Sequence, residues 1–112
     1  MIVTDGVEIF IALVDDTITE VVMGTGTTAA ALTDSVLASS VIDKAVTNDT
    51  AIAGQIVYSG SLTVAEGNGS SFTEAGLRDA AEKLVCRRVH SAISKTSSFQ
   101  LDYTWTIKVV GA

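Results

Sequence analysis

The sequence predicts a small all-β domain built from antiparallel strands. The clearest evidence is the segment 101–109, where apolar and polar side chains alternate with the period of two that is typical of a half-buried strand. A second alternation runs through residues 56–64. The apolar content of 47% comes mainly from aliphatic residues, since aromatic residues make up only 5%. Because the segment 101–109 carries the single tryptophan, Trp105, we expect the core to pack against this strand.

The length of 112 residues predicts one domain, spanning 1–112, with a short N-terminal arm at residues 1–6. No apolar run approaches the twenty or so residues that a membrane-spanning helix needs. The first residues carry no basic segment of the kind that begins a secretory signal, and Cys86 is the single cysteine. We therefore expect synthesis in a reducing cytoplasm and no association with a membrane.

In the first half of the chain, two apolar segments predict strands that pair through a turn at Asp15-Asp16. The glycine-rich segment Gly24–Thr28 predicts a flexible loop. The segment after it predicts an irregular connection, the crossing, that could include one helical turn. In chain order the predicted elements are a buried strand at Val7–Val14, a strand at Thr17–Met23, the crossing at Ala29–Ile42 and a short edge strand at Lys44–Thr50.

In the second half, a strand is predicted within Ala51–Val64, where Gly60 indicates a bulge or a close approach of two backbones. Glu66–Ser71 is the strongest turn signal of the chain. The segment Glu74–Val85 is ambiguous, because its apolar spacing fits a helix while Asp79–Glu82 fits a hairpin turn. The predicted core residues are Ile9, Phe10, Leu13, Leu62, Leu84, Tyr103, Trp105 and Ile107.

Charge is distributed unevenly along the chain, which has a net charge of −6. Residues 1–66 hold nine acidic residues and one lysine, whereas residues 67–112 hold four acidic and six basic residues. The overall charge argues against a nucleic-acid partner. The asymmetry fits either a surface that complements a neighbouring copy or partner, or ordinary solvated surfaces.

Two short patterns resemble chemical sites. Gly24–Ala29 satisfies the G-x-G-x-x-[GA] pattern of dinucleotide-binding turns, but the repeated strand–helix units that build such a domain are missing. Cys86 and His90 could form a thiol–imidazole pair on a helix, whereas on a strand their Cα atoms would lie about 13 Å apart. We therefore predict no enzyme, no cofactor and no metal site, and interpret the glycine segment as a plain loop.

Two groups of segments resemble small virion proteins of tailed bacteriophages. Gly24–Leu37 resembles their "GxGTTxxxxxDxxL" segment. A second pattern of these proteins, "tEvGLf…LlaRavf.pi.Kt..d.LtvtWtI.f", is similar to four segments here, Phe72–Leu77, Leu84–Val89, Ile93–Ser98 and Leu101–Val109. The order and spacing agree, and the resemblance covers roughly residues 8–110.

The resemblance implies an all-β fold, an antiparallel β-sandwich or jelly-roll-like module with at most one short helix. It also implies that Gly76-Leu77 ends a strand and that Leu84–Ser91 follows Asp79–Glu82 as the next strand. The turn here reads Asp-Ala-Ala-Glu where the family usually has a glycine, which leaves a short helix at residues 74–82 open.

The resemblance further implies a capsid decoration (cement) protein, made in the host bacterial cytoplasm and located on the outer head surface of the virion. Its expected partners are the major capsid protein and further copies of itself, as a homotrimer or a dimer. The alternatives are a tail, baseplate or fibre attachment module and, less favoured, a nucleotide-binding enzyme fragment using Gly24–Ala29. The interface candidates, which lie outside the predicted strands, are Met1, Ile2, Val3, Thr4, Asp5, Gly6, Glu66, Gly67, Asn68, Gly69, Ser70 and Ser71.

Overall fold

The structure is a computed structural model that describes residues 4–50 and 52–109. Every strand pairing in it is antiparallel, and the strands form two sheets with the orders β2-β1-β5-β6 and β3-β4-β7. This confirms the predicted fold class of an antiparallel sandwich with one helix. The elements are α1 (Thr4–Thr17), β1 (Ile18–Gly24), β2 (Ser40–Ala45), β3 (Thr47–Asp49), β4 (Gln55–Leu62), β5 (Ser71–Asp79), β6 (Leu84–Ser94) and β7 (Leu101–Lys108).

The core lies between the two sheets. Strand β4 alternates buried and half-buried residues along its whole length, which confirms the alternation predicted there. A Cβ atom at Gly60 would lie 2.7 Å from the Cβ of Val21, so the space at Gly60 is filled by a side chain of β1 and not by a second backbone. Strand β4 pairs with β7 without a bulge at this residue. Each large apolar side chain that is fully buried contributes about 1.5–3 kcal/mol. The fully buried members of the core are Val21, Met23, Ile56, Tyr58, Leu62, Phe72 and Leu77.

The strand predicted at Val7–Val14 is wrong, because these residues belong to helix α1. A continuous apolar run has no period of its own, so it fits a buried strand and a helix equally well. In the helix, Ile11 is buried in the core, and Val7 and Val14 pack beside it at helical spacing. The predicted core residues Ile9, Phe10 and Leu13 face away and are 61%, 50% and 59% exposed.

The ambiguous segment after Glu74 is a hairpin, as the resemblance implied, and the helix at residues 74–85 is wrong. Strand β5 pairs with β6, and the turn between them is closed by the carboxylate of Asp79, which accepts hydrogen bonds from the backbone N–H groups of Ala81 and Lys83. Glu82 takes the left-handed conformation, with a φ of 64°. The spacing of apolar residues cannot predict this turn, because the turn is stabilised by hydrogen bonds to the Asp79 side chain.

The position of the last strand differs from the prediction in one respect. Its alternation is confirmed, because Leu101 is buried and Tyr103, Trp105 and Ile107 are half-buried against the core. However, β7 is an edge strand, and the centre of its sheet is β4. Leu84 is half-buried at the start of β6. The core is therefore organised around β4, β1 and β5, while the tryptophan lies near an open edge.

Candidate interaction surfaces

A long loop, residues 25–39, connects β1 to β2 and is attached to β5 by one buried carboxylate. Glu74 has no solvent exposure. Its Oε2 accepts hydrogen bonds from the N–H groups of Gly26 at 2.6 Å and Ser39 at 2.8 Å. Its Oε1 accepts one from the N–H of Ala38 at 2.9 Å. Both ends of the loop are therefore bound to a single side chain.

Arg87 on β6 completes this attachment. Its Nε lies 3.1 Å from Oε1 of Glu74, and its Nη1 lies 2.9 Å from Oδ2 of Asp34. Its Nη2 donates a 2.6 Å hydrogen bond to the carbonyl oxygen of Thr28. The guanidinium thus connects β5 to the middle of the 25–39 loop while its side chain is only 4% exposed. We refer to Glu74, Arg87 and Asp34 together as the latch.

The latch keeps Glu74 ionised. Burial is the largest influence on its pKa and favours the neutral acid, but the N–H groups of Ser39, Ala38 and Gly26 and the guanidinium of Arg87 together outweigh it. The pKa of Glu74 consequently lies below its ordinary value. The charged form is the one that holds the loop.

The latched loop presents apolar side chains to solvent. Leu32 is completely exposed and Val36 is 66% exposed. A groove of about 450 Å³ lies between residues 30–34 of the loop and residues 84–87 at the start of β6. Val85, which is half exposed, is one of the apolar residues that line it. Apolar side chains that are exposed on an ordered loop are candidates for contact with another protein. Sequence reasoning missed this surface, and the signal available for it was Leu32 and Val36 within an otherwise small and polar stretch.

The glycine pattern at Gly24–Ala29 serves this internal attachment. The amide of Gly26 is already bound to the carboxylate of Glu74, in the place where a phosphate oxygen would have to lie. The segment leads through turns and bends into β2 rather than into a helix. A Cβ at Gly26 would lie 2.3 Å from Oε2 of Glu74 and 2.5 Å from the Cβ of Ala38. Glycine is needed here for close approach, and the geometry does not favour a nucleotide.

A Gly26→Val variant tests this interpretation. The added side chain overlaps Glu74, so we expect a loss of about 1–3 kcal/mol in the free energy of unfolding from overpacking. Urea denaturation of the wild type and of Gly26→Val, with and without ATP and NAD, measures the free energy of unfolding. Ala29→Val, at an exposed position of the same loop, is the control and should change little. A nucleotide-dependent rise in the urea midpoint that Gly26→Val abolishes would contradict the structural role.

The predicted interface loop at Glu66–Ser71 is held from within. The side chain of Lys95, buried at 1% exposure, donates hydrogen bonds to Asn68 Oδ1 and the carbonyl of Thr96, each at 2.9 Å. The backbone of Lys95 is also paired with Gly69 and Ser70. The turn prediction is confirmed, whereas Ser71, expected to lie outside the strands, is the first residue of β5. The loop remains a candidate as a preformed surface.

The predicted N-terminal arm, residues 1–6, is only partly described. Met1, Ile2 and Val3 lie outside the described residues. Thr4, Asp5 and Gly6 form the first turn of α1, so the arm is wrong for these three residues. Their segment contributes to a different surface, the outward face of the helix, which we call the α1 face. Its members recur at helical spacing and are Asp5, Ile9, Phe10, Leu13 and Asp16.

The open edge between β6 and β7 forms a second concave surface, the edge cleft. It has a volume of about 260 Å³ and is lined by Ala75, Arg88, His90, Asp102, Tyr103, Thr104 and Trp105. The carboxylate of Asp102 accepts hydrogen bonds from Ser61 and Gln100. His90 Nε2 lies 2.7 Å from the hydroxyl of Tyr103, and burial raises the pKa of that hydroxyl to about 12. The indole Nε1–H of Trp105 is buried and has no hydrogen-bond partner among the described residues.

Cys86 and His90 do not form a catalytic pair. They lie four residues apart on the same strand, β6, and the imidazole is engaged with Tyr103. Burial raises the pKa of the Cys86 thiol, which favours the unreactive protonated form.

Within residues 4–50 and 52–109, no group of three or more histidine, cysteine or acidic side chains is placed to hold a metal ion. The helix of the described chain is too short to cross a membrane. Comparison with protein-family models, curated proteins and solved structures finds no match.

Proposed function

We propose that this protein is a bacteriophage capsid decoration protein, which binds the outer head surface of the virion and stabilises the shell by bridging capsid subunits. The observation that carries the proposal is the exposure of Leu32 and Val36 on a loop that a buried ion pair holds in place. The resemblance of Gly24–Leu37 to small virion proteins includes this loop.

Preorganisation explains why such a loop suits binding to a shell. A disordered loop loses conformational entropy when it docks, and that loss reduces the affinity. Because the latch has already ordered residues 26–39, apolar contacts of Leu32 and Val36 with a capsid subunit contribute to affinity with little further ordering. Many copies on one shell then reinforce modest individual interfaces.

Mechanically, the proposed protein adds buried area across the joints between capsid subunits. The antiparallel sandwich is suited to this role, because two sheets packed on one core resist deformation. The preformed Glu66–Ser71 loop is a second candidate contact to the shell. Binding at a local symmetry axis as a homo-oligomer would let one assembly contact several subunits at once.

The second candidate function is a tail, baseplate or fibre attachment module. The same exposed loop could bind an adaptor or a receptor, and the resemblance covers such parts as well. The two functions differ in copy number, because decoration occupies the whole shell whereas tail parts occur in a few copies. A copy number comparable with that of the major capsid protein on purified virions, measured by quantitative mass spectrometry, supports decoration. A dozen copies or fewer would contradict it.

The docking surface is tested by adding purified protein to heads that lack it. We expect Leu32→Asp to lower the affinity for heads by about tenfold or more, because a carboxylate replaces a desolvated apolar contact. Ile52→Asp is the matched control, since Ile52 is also exposed, at 63%, but lies beside α1. Bound protein is quantified after sedimentation of the heads. Equal binding by wild type and Leu32→Asp would contradict docking through the 25–39 loop.

A further inference from the structure

We infer that copies of this chain associate head to tail, with the α1 face of one copy seated in the edge cleft of the next. The inference deepens the proposed function, on which it rests for the expectation of a homo-oligomer. It identifies the two surfaces that meet. The two surfaces complement each other in polarity and charge.

The α1 face is apolar at its centre and acidic at its edge. Ile9, Phe10 and Leu13 are each at least half exposed, although they are among the largest apolar side chains of the helix. Asp5 and Asp16 border them at helical spacing, and both are exposed. A helix that buries one apolar stripe in its own core and exposes a second is expected to bury the second stripe against another surface.

The edge cleft has the complementary character. Its wall is aromatic, from Tyr103 and Trp105, and the buried indole N–H of Trp105 is unpaired among the described residues. Arg88 lines the cleft, is exposed, and has no acidic side chain within ion-pair distance among residues 4–50 and 52–109. Such a cleft accepts an apolar helix face bordered by a carboxylate, with Phe10 against the rings and Asp16, beside Leu13, near the guanidinium.

Charge decides between this arrangement and a symmetric one. The segment Thr4–Thr17 contains four acidic residues and no lysine or arginine. Two α1 faces packed on each other would bring together four carboxylates, those of Asp5 and Asp16 from each copy, which is unfavourable. Pairing the acidic helix with the Arg88 side of a neighbour brings opposite charges together instead. This is the same asymmetry that the sequence shows between residues 1–66 and 67–112.

The arrangement leads to closed rings or open chains. The α1 face and the edge cleft share no residue, because the first belongs to α1 and the second to β5, β6 and β7. One copy can therefore use both surfaces at once. Heterologous contacts of this type close into a ring where the rotation between copies permits it. A ring of three would match a threefold position on a shell.

The experiment is a charge exchange followed by sedimentation velocity of the purified chain without capsids. We expect the wild type to form a discrete oligomer at micromolar concentration, weakened by salt. Asp16→Arg and Arg88→Asp should each raise the dissociation constant about tenfold or more, and the double variant Asp16→Arg/Arg88→Asp should recover most of the loss. Phe10→Ser should weaken association without reversing any charge.

The controls separate association from folding and from shell binding. Lys83→Asp reverses an exposed basic charge in the turn before β6 and should leave association unchanged. Circular dichroism verifies that each variant is folded. A wild type that remains monomeric, or single variants that associate like the wild type, would overturn the inference. Because no heads are present, this failure is distinguishable from a failure of decoration, which the head-binding assay measures.

Discussion

Replacing Glu74 with glutamine is expected to lower the free energy of unfolding by about 3–5 kcal/mol, the cost typical of breaking a buried ion pair. Each carboxylate oxygen of Glu74 accepts two N–H hydrogen bonds: Oε2 from Gly26 and Ser39, and Oε1 from Ala38 and Arg87. In either orientation, the glutamine amide would direct its NH₂ group at two donors. The variant therefore loses hydrogen bonds and leaves the Arg87 guanidinium with one carboxylate, Asp34.

Urea denaturation measures this loss. Glu66→Gln is the matched control, because Glu66 also pairs with a cation, Lys44 at 2.5 Å, but the two side chains are 29% and 31% exposed, and ion pairs in contact with solvent contribute less than buried ones. We expect the control to leave the denaturation midpoint nearly unchanged. If the two variants were equally stable, the 25–39 loop would not depend on the latch.

The same substitution alters the acid dependence of stability. Because the pKa of Glu74 is depressed in the folded state, its contribution is fully present above the ordinary pKa of 4.5 and is lost as the pH falls through the depressed value. We expect the wild type to lose stability below about pH 4.5 more steeply than Glu74→Gln does. Parallel acid profiles would contradict this role of the carboxylate.

Replacing Phe72 with alanine is expected to lower the free energy of unfolding by about 3–5 kcal/mol, because apolar burial is lost and a cavity is left behind. Phe72 is fully buried at the start of β5 and pairs across the sheet with Ile93. Its ring also lies beneath the Glu66–Ser71 loop, since a Cβ at Gly67 would be 3.1 Å from the ring. The variant should therefore loosen that loop as well as the core.

The control for this prediction is Phe10→Ala, the same change on the exposed α1 face. Phe10 is half exposed and makes no contribution to the core, so we expect a change of at most about 0.5 kcal/mol in the isolated chain. Thermal and urea unfolding of both variants, at concentrations where the chain is dissociated, provide the comparison. A larger loss for Phe10→Ala than for Phe72→Ala would place Phe10 in the core after all.

Local pattern predicted the strands that have one apolar side. The alternations within 56–64 and 101–109 correspond to β4 and β7, because a period of two reports directly which face of a strand is buried. The segment Val7–Val14 could not be assigned in this way, since its apolar residues serve both the inward and the outward side of a helix. A continuous run of apolar residues indicates that the segment can be buried, but it does not indicate which of its side chains face the core.

The candidate surfaces were less accessible to sequence reasoning. Glu74 and Arg87 lie thirteen residues apart. The loop groups that they bind are at least 35 residues from Glu74 and at least 53 residues from Arg87 along the chain. No local spacing encodes that meeting, because it depends on how β5, β6 and the crossing are arranged in space. For the same reason, the proposed edge cleft combines Arg88 and Trp105 from separate strands.

The sequence by itself determined the fold class and the turn at Glu66–Ser71, since turn chemistry and two-residue alternation act through neighbouring residues. The tertiary structure alone decided that Val7–Val14 is helical, that Trp105 lies near an open edge, and that Glu74 orders the loop carrying Leu32. These features depend on contacts between distant segments. The energies of these contacts arise only when the distant segments have packed and, for the latch, when water has been excluded from its charged groups.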